Sequence, residues 1–189
     1  MAGCYSATMP TSGASAKPRS IVLYPAPVLQ TRARDVERID AWVRALVDDM
    51  VRVMKEEDGA GLAAPQVGES VRIFVVQARE PEGDRPAEPL GVYINPKILA
   101  LEGAVEPYEE GCLSLPGIRA EIRRPPVVTI EAIDLEGRTF TRTDDDILAR
   151  IWQHEFDHLE GKLILDRMTP MDRLATRKKV KELRDDYEG

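Results

Sequence analysis

Val43, Leu46, Val47, Met50 and Met54 recur at three- and four-residue spacing. That spacing places them on one face of a helix, predicted over residues 41–56. Asp40 suits its N-cap, because a carboxylate there can accept a hydrogen bond from a free first-turn amide. Gly59 and Gly61 follow the far end, where glycine tolerates conformations closed to other residues. Upstream, residues 21–24 read as a short extended run ended by Pro25, Ala26 and Pro27. Residues 71–77 and 92–94 read as strands flanking an exposed loop at 79–89, rich in proline and charge. The β-branched run 127–133 is expected to pair with 139–142 through a turn at 134–137. Two further helices are expected at 145–160 and 170–187, the last heavily charged.

Strands grouped between flanking helices predict an α+β fold: mainly antiparallel sheets around a central buried helix, with a C-terminal helix closing the chain. Residues 1–19 read as a disordered tail and residues 20–189 as one domain. Among 189 residues, 33 acidic against 26 basic groups give a net charge of -7. That excess argues against sequence-specific nucleic-acid binding, whose footprint is normally basic. No apolar run reaches the roughly 20 residues a membrane helix needs, so no membrane association is expected. The tail lacks the basic start and apolar core of a secretory signal, and also the several arginines of a transit peptide. A cytoplasmic location is therefore expected, with organellar targeting left open by the tail's Ser and Ala content. Cys4 and Cys112 form no disulfide framework, which suits a reducing compartment.

The two histidines of the chain both lie in His154-Glu155-Phe156-Asp157-His158. In a helix they fall one turn apart on one face and can offer two imidazoles to one metal ion, with Glu155 beside them as a candidate general base. A polar stripe of Asp146, Arg150, Gln153 and Asp157 takes another side. The histidines run instead alongside Ile147 and Ile151, with Leu148, Trp152, Phe156 and Leu159 extending the apolar surface. Both rings are thus expected to face the interior, where an unpartnered polar group is costly and a shared metal satisfies both.

A catalytic site of this kind needs a third ligand and an open position. Glu160 follows His158 by two residues, on a different helical face, and fits poorly. Cys112 fits better, because a thiolate is a good ligand for divalent iron or zinc. Alone it reads equally well as a buried structural cysteine. The stretch from Gly59 to Gly68 clears space for close backbone approach, and Gln66 offers an amide donor able to stabilise an oxyanion. By spacing it is not a phosphate-binding loop.

Three stretches together resemble, in order, the signature motifs of the peptide deformylase family. They are Gly59-Ala60-Gly61-Leu62-Ala63-Ala64-Pro65-Gln66, Glu110-Gly111-Cys112-Leu113-Ser114 and Gln153-His154-Glu155-Phe156-Asp157-His158-Leu159. The resemblance implies an α+β hydrolase that removes the formyl group from N-formylmethionyl nascent peptides and releases formate. It implies one divalent metal, usually Fe(II), with nickel or cobalt supporting activity and zinc less effective. Cys112, His154 and His158 are the implied ligands and Glu155 the implied general acid/base. The Leu113 amide and the Gln66 side chain are implied to hold the oxygen of the attacked group. Ile147 and Ile151 are expected to line the methionine pocket, with Ala60, Gly61 and Gly111 also at the substrate. Many relatives carry a larger aliphatic residue at Ala60, so a more open rim is expected. Arg173, Arg177, Lys178, Lys179, Lys181 and Arg184 make the last helix basic, either as a solvated face or as a ribosome contact. Two other readings of the same histidine helix are a metallopeptidase and a metal-stabilised binding module.

Overall fold

The computed structural model describes residues 18–77 and 89–188. Of the tail expected over 1–19, residues 1–17 lie outside the described residues, as do residues 79–88 of the loop expected over 79–89. Helix α1 spans Ala41–Glu56 and buries Val43, Leu46, Val47, Met50, Val53 and Met54, the face the spacing predicts. Its N-cap also forms as expected, with Asp40 Oδ1 accepting from the Val43 amide at 3.0 Å.

Strands β1 (Gly61–Ala63), β2 (Ile73–Val76), β3 (Gly91–Glu102), β6 (Val127–Ile133) and β7 (Thr139–Asp144) form a sheet in the order β1-β2-β3-β6-β7. All of its pairings are antiparallel. Alternation sorts its side chains onto two faces. Leu62, Ile73, Val75 and Ile94 pack under α1, while Ala63, Phe74, Val76, Tyr93, Val128, Ile130 and Ala132 pack on helix α2, Ile147–Leu159. Strand β2, covered on both sides, is buried at every position, which is why it reads as a continuous apolar run. α2 brings Leu148, Ala149, Trp152 and Leu159 to this second layer.

Strand β3 runs eight residues past the expected 92–94, to Glu102. Asn95 and Pro96 look like a strand end, but the register shifts between Ile94 and Lys97, and a bulge is where a strand accepts proline. A separate two-stranded sheet, β4 (Glu106–Gly111) with β5 (Arg119–Arg124), is absent from the sequence expectation. Its residues are mostly charged, and β4 buries Glu110 alone, so no apolar alternation marks it. Leu115, Ile118, Ala120 and Ile122 from this hairpin join Tyr24, Leu29, Leu163, Ile164 and Met168 in a third cluster. Short α3 (Ile164–Arg167) and the C-terminal α4 (Pro170–Glu188) close that side, with Val180 and Leu183 packed inward.

Candidate metal centre and active-site cleft

Two elements carry the donors to one point. Helix α2 holds His154 and His158 one turn apart with ring centroids 5.1 Å from each other. Cys112 directly follows β4, where the chain turns sharply and the Leu115 amide donates to the Cys112 carbonyl at 2.9 Å. One donor atom from each of Cys112, His154 and His158 lies within 4.8 Å of the other two. The Cys112 Sγ to His158 Nε2 distance is 3.4 Å, close to the roughly 3.4–3.6 Å that separates S and N donors on a tetrahedral ion.

The residues fit a metal. A thiol and two imidazoles desolvated together lose hydration, and a shared divalent cation is the partner that restores it. His158 is 1% exposed. Burial, together with the like charge of His154, holds its pKa well below the ordinary histidine value. A neutral ring keeps the lone pair that a metal takes. His154 Nδ1 lies 3.0 Å from Glu110 Oε2, which leaves Nε2 as its nitrogen for a ligand. Burial opposes charge on His154, yet hydrogen bonding to Cys112 and Glu110 holds its pKa well above the ordinary value. Burial likewise opposes charge on Glu110, but His154 and Arg124 outweigh it and keep this carboxylate well below the usual range.

Glu155 stands beside the donors, 4% exposed, and its Oε2 is buried without a hydrogen-bond partner among the described residues. Burial raises its pKa to about 7 against the pull of His154 and Arg124. Gly61 explains how the carboxylate reaches its place. A Cβ there would stand 2.6 Å from Glu155 Oε1 and 2.9 Å from Ile151 Cγ2, so only a bare backbone admits them. Gln66 is oriented from behind, its Oε1 accepting from the Ala63 amide at 2.9 Å. Its Nε2 lies 3.7 Å from Cys112 Sγ and 3.5 Å from Ser114 Oγ, on the side where the donors converge.

These groups open on a cleft of about 560 Å³ lined by Ala60, Gly61, Gln66, Gly111, Cys112, Leu113, Ile147, Ile151, His154 and Glu155, among others. Every candidate catalytic and substrate residue therefore borders one space, with His158 buried just behind it. Glu160 points elsewhere and pairs with Arg72 at 2.6 Å.

The charges behind the donors carry no local mark in the sequence. Gln153 and Asp157 are each 5% exposed, so the C-terminal half of the polar stripe of α2 is itself buried. Arg124 covers it, pairing with Asp157 at 2.8 Å and with Glu110 at 2.7 Å. The missing signal is strand alternation: Ala120, Ile122 and Arg124 share the inner face of β5. Along α4, Arg173, Lys178, Lys179, Lys181 and Arg184 all hold partners within the chain. No helix of the described residues is long and apolar enough to cross a membrane.

Known proteins of one family match most of this chain. A sequence model described as Polypeptide deformylase matches residues 18–174. Peptide deformylase of Dictyoglomus turgidum is 48% identical over 152 residues, covering 80% of this chain and 94% of that protein. The chloroplastic peptide deformylase 1B of Solanum lycopersicum is 39% identical over 171 residues, covering 90% of this chain and 60% of the relative. The crystal structure of peptide deformylase from Plasmodium falciparum superposes with a TM-score of 0.82 at 38% identity, covering 89% of this chain and 96% of that one. The chain belongs to the peptide deformylase family, metal-dependent hydrolases that remove the N-formyl group from an N-terminal methionine.

Proposed function

We propose that Cys112, His154 and His158 hold the divalent metal, that Glu155 moves the protons of the reaction, and that Gln66 and the Leu113 amide bind the formyl oxygen. The observation that carries this reading is the convergence of one thiol and two imidazole donors within 4.8 Å, beside a buried carboxylate whose Oε2 has no hydrogen-bond partner among the described residues. One thiolate and two imidazoles suit iron, nickel, cobalt or zinc; we take Fe(II) as the native ion and the others as substitutes. When bound, the ion acidifies water and polarises a carbonyl oxygen.

Glu155 accepts a proton from the water that attacks the formyl carbon. A carboxyl with a pKa of about 7 can both take and return a proton at neutral pH. Charge gathering on the formyl oxygen is met by Gln66 Nε2 and the Leu113 N–H, dipoles supplied by the cleft wall. Glu155 then gives its proton to the leaving nitrogen as the C–N bond breaks, and formate departs from a free amino terminus. Ile147 and Ile151 offer apolar surface to the methionine side chain, while Gly61 and Gly111 let the peptide backbone come close. Ala60 leaves the rim open.

A cytoplasmic setting is part of this proposal, because a reducing compartment keeps a ligating thiolate from oxidation. For ribosome contact α4 remains the proposed element. Its cations would exchange their present partners for phosphates, and salt-sensitive co-sedimentation lost on deleting residues 172–189 tests this. The site assignment is tested by two variants assayed for metal content and for turnover of a formyl-methionyl peptide. Glu155→Ala keeps its metal and loses about 10²–10⁴-fold in turnover, whereas Cys112→Ala loses metal. Equal metal loss in both variants would refute the role given to Glu155.

A further inference from the structure

Behind the metal centre lies a buried charge network that the proposed chemistry does not use. Arg124 is 2% exposed. Its Nε donates to Glu110 Oε1 at 2.7 Å and its Nη2 to Glu110 Oε2 at 3.0 Å, a two-pronged grip on one carboxylate. Its Nη1 donates to Asp157 Oδ2 at 2.8 Å. Arg150 adds a bond to Glu110 Oε1 at 2.9 Å, and Arg167 clasps Asp157 from outside. Glu110 Oε2 in turn meets His154 Nδ1 at 3.0 Å.

Stability alone is a poor reason for such a network. Desolvating an arginine and two carboxylates offsets most of their attraction, and packed apolar side chains hold a fold as well or better. Position is a better one. A ligating histidine whose second nitrogen meets a carboxylate has its ring orientation and tautomer fixed. That carboxylate must itself be held, and a guanidinium fork fixes its plane as well as its place. The remaining arm of Arg124 reaches Asp157, between the two histidines on α2. The same side chain thus ties the strand that leads into Cys112 to the helix that carries His154 and His158.

We infer that Arg124 is a positioning residue for the metal centre, clamping Glu110 against His154 and setting the distance between Cys112 and α2. The inference rests on the metal reading given above. A lysine cannot replace it, because one ammonium on a flexible stem does not span two carboxylates in a fixed plane.

The test uses cobalt(II) loaded into the full chain, with release into excess chelator followed by the thiolate-to-cobalt absorption. Arg124→Lys and Glu110→Gln release cobalt about ten-fold faster or more, with a shifted absorption band and a far-ultraviolet circular dichroism spectrum like that of the parent. Arg167→Gln, which strips Asp157 of a partner without touching Glu110, releases cobalt at the parent rate. Unchanged release and absorption in Arg124→Lys would overturn the inference. Should that variant not fold, unchanged release and absorption in Glu110→Gln would overturn it instead. Equal acceleration in Arg167→Gln would also overturn it, by showing general loosening. Cobalt uptake by the parent without a thiolate band would refute the metal reading underneath.

Discussion

Gly61 and Glu155 form a matched pair in which the absence of one side chain makes room for another. An alanine at Gly61 would drive its Cβ into the carboxylate and the Ile151 methyl, both closer than 3.0 Å. Gly61→Ala is expected to fold and to lose on the order of 10²-fold in kcat/KM, the scale of a reacting group displaced by about 1 Å. Steady-state kinetics alongside urea unfolding checks this. Parent-level activity in the folded variant would show that Glu155 does not depend on this contact. The donors themselves were legible in the sequence because histidines one turn apart are a local pattern. Their supports were not, because Glu110, Arg124 and Asp157 meet only through tertiary pairing.

At the scale of elements, legibility followed apolar periodicity. α1 and α2 bury apolar faces at helical spacing, so their extents differ from expectation by at most two residues at either end. The hairpin β4/β5 left no such mark because its outward positions are mostly charged and its inward ones include Glu110 and Arg124. Asn95 and Pro96 look like the end of β3, but the strand continues to Glu102 through a bulge that accommodates them. Helix ends can be tested singly. Asp40→Ala removes the bond to the Val43 amide and is expected to cost about 1 kcal/mol, read as a lower urea midpoint. An unchanged midpoint would mean that solvent or another group caps α1 equally well.

For the molecule as a whole, a ligand that binds only the folded state adds to its stability. In the proposed site the Cys112 donor lies on one element and the two histidines on another, so unfolding would scatter the donors and release a bound ion. Metal at about 100 times its dissociation constant should contribute about 2.7 kcal/mol. Stripping it with a chelator is then expected to lower Tm by about 5–11 °C for a chain of this size, and adding cobalt or nickel should reverse the loss. A Tm indifferent to chelator would contradict a metal linking the hairpin to α2. Thiolate ligation also predicts oxidative fragility: an iron-loaded sample should lose activity under peroxide, with Cys112 oxidised in mass spectra.

The most direct test of the central claim is formate release from formyl-Met-Ala-Ser by anaerobically prepared, metal-loaded protein, beside the Glu155→Gln variant with equal metal. Rapid release by the parent, with a loss of about 10²–10⁴-fold in the variant, is the result expected of a deformylase whose protons pass through Glu155. No release by the folded, fully metallated parent would contradict the deformylase assignment, and equal rates in the two would contradict the role of Glu155.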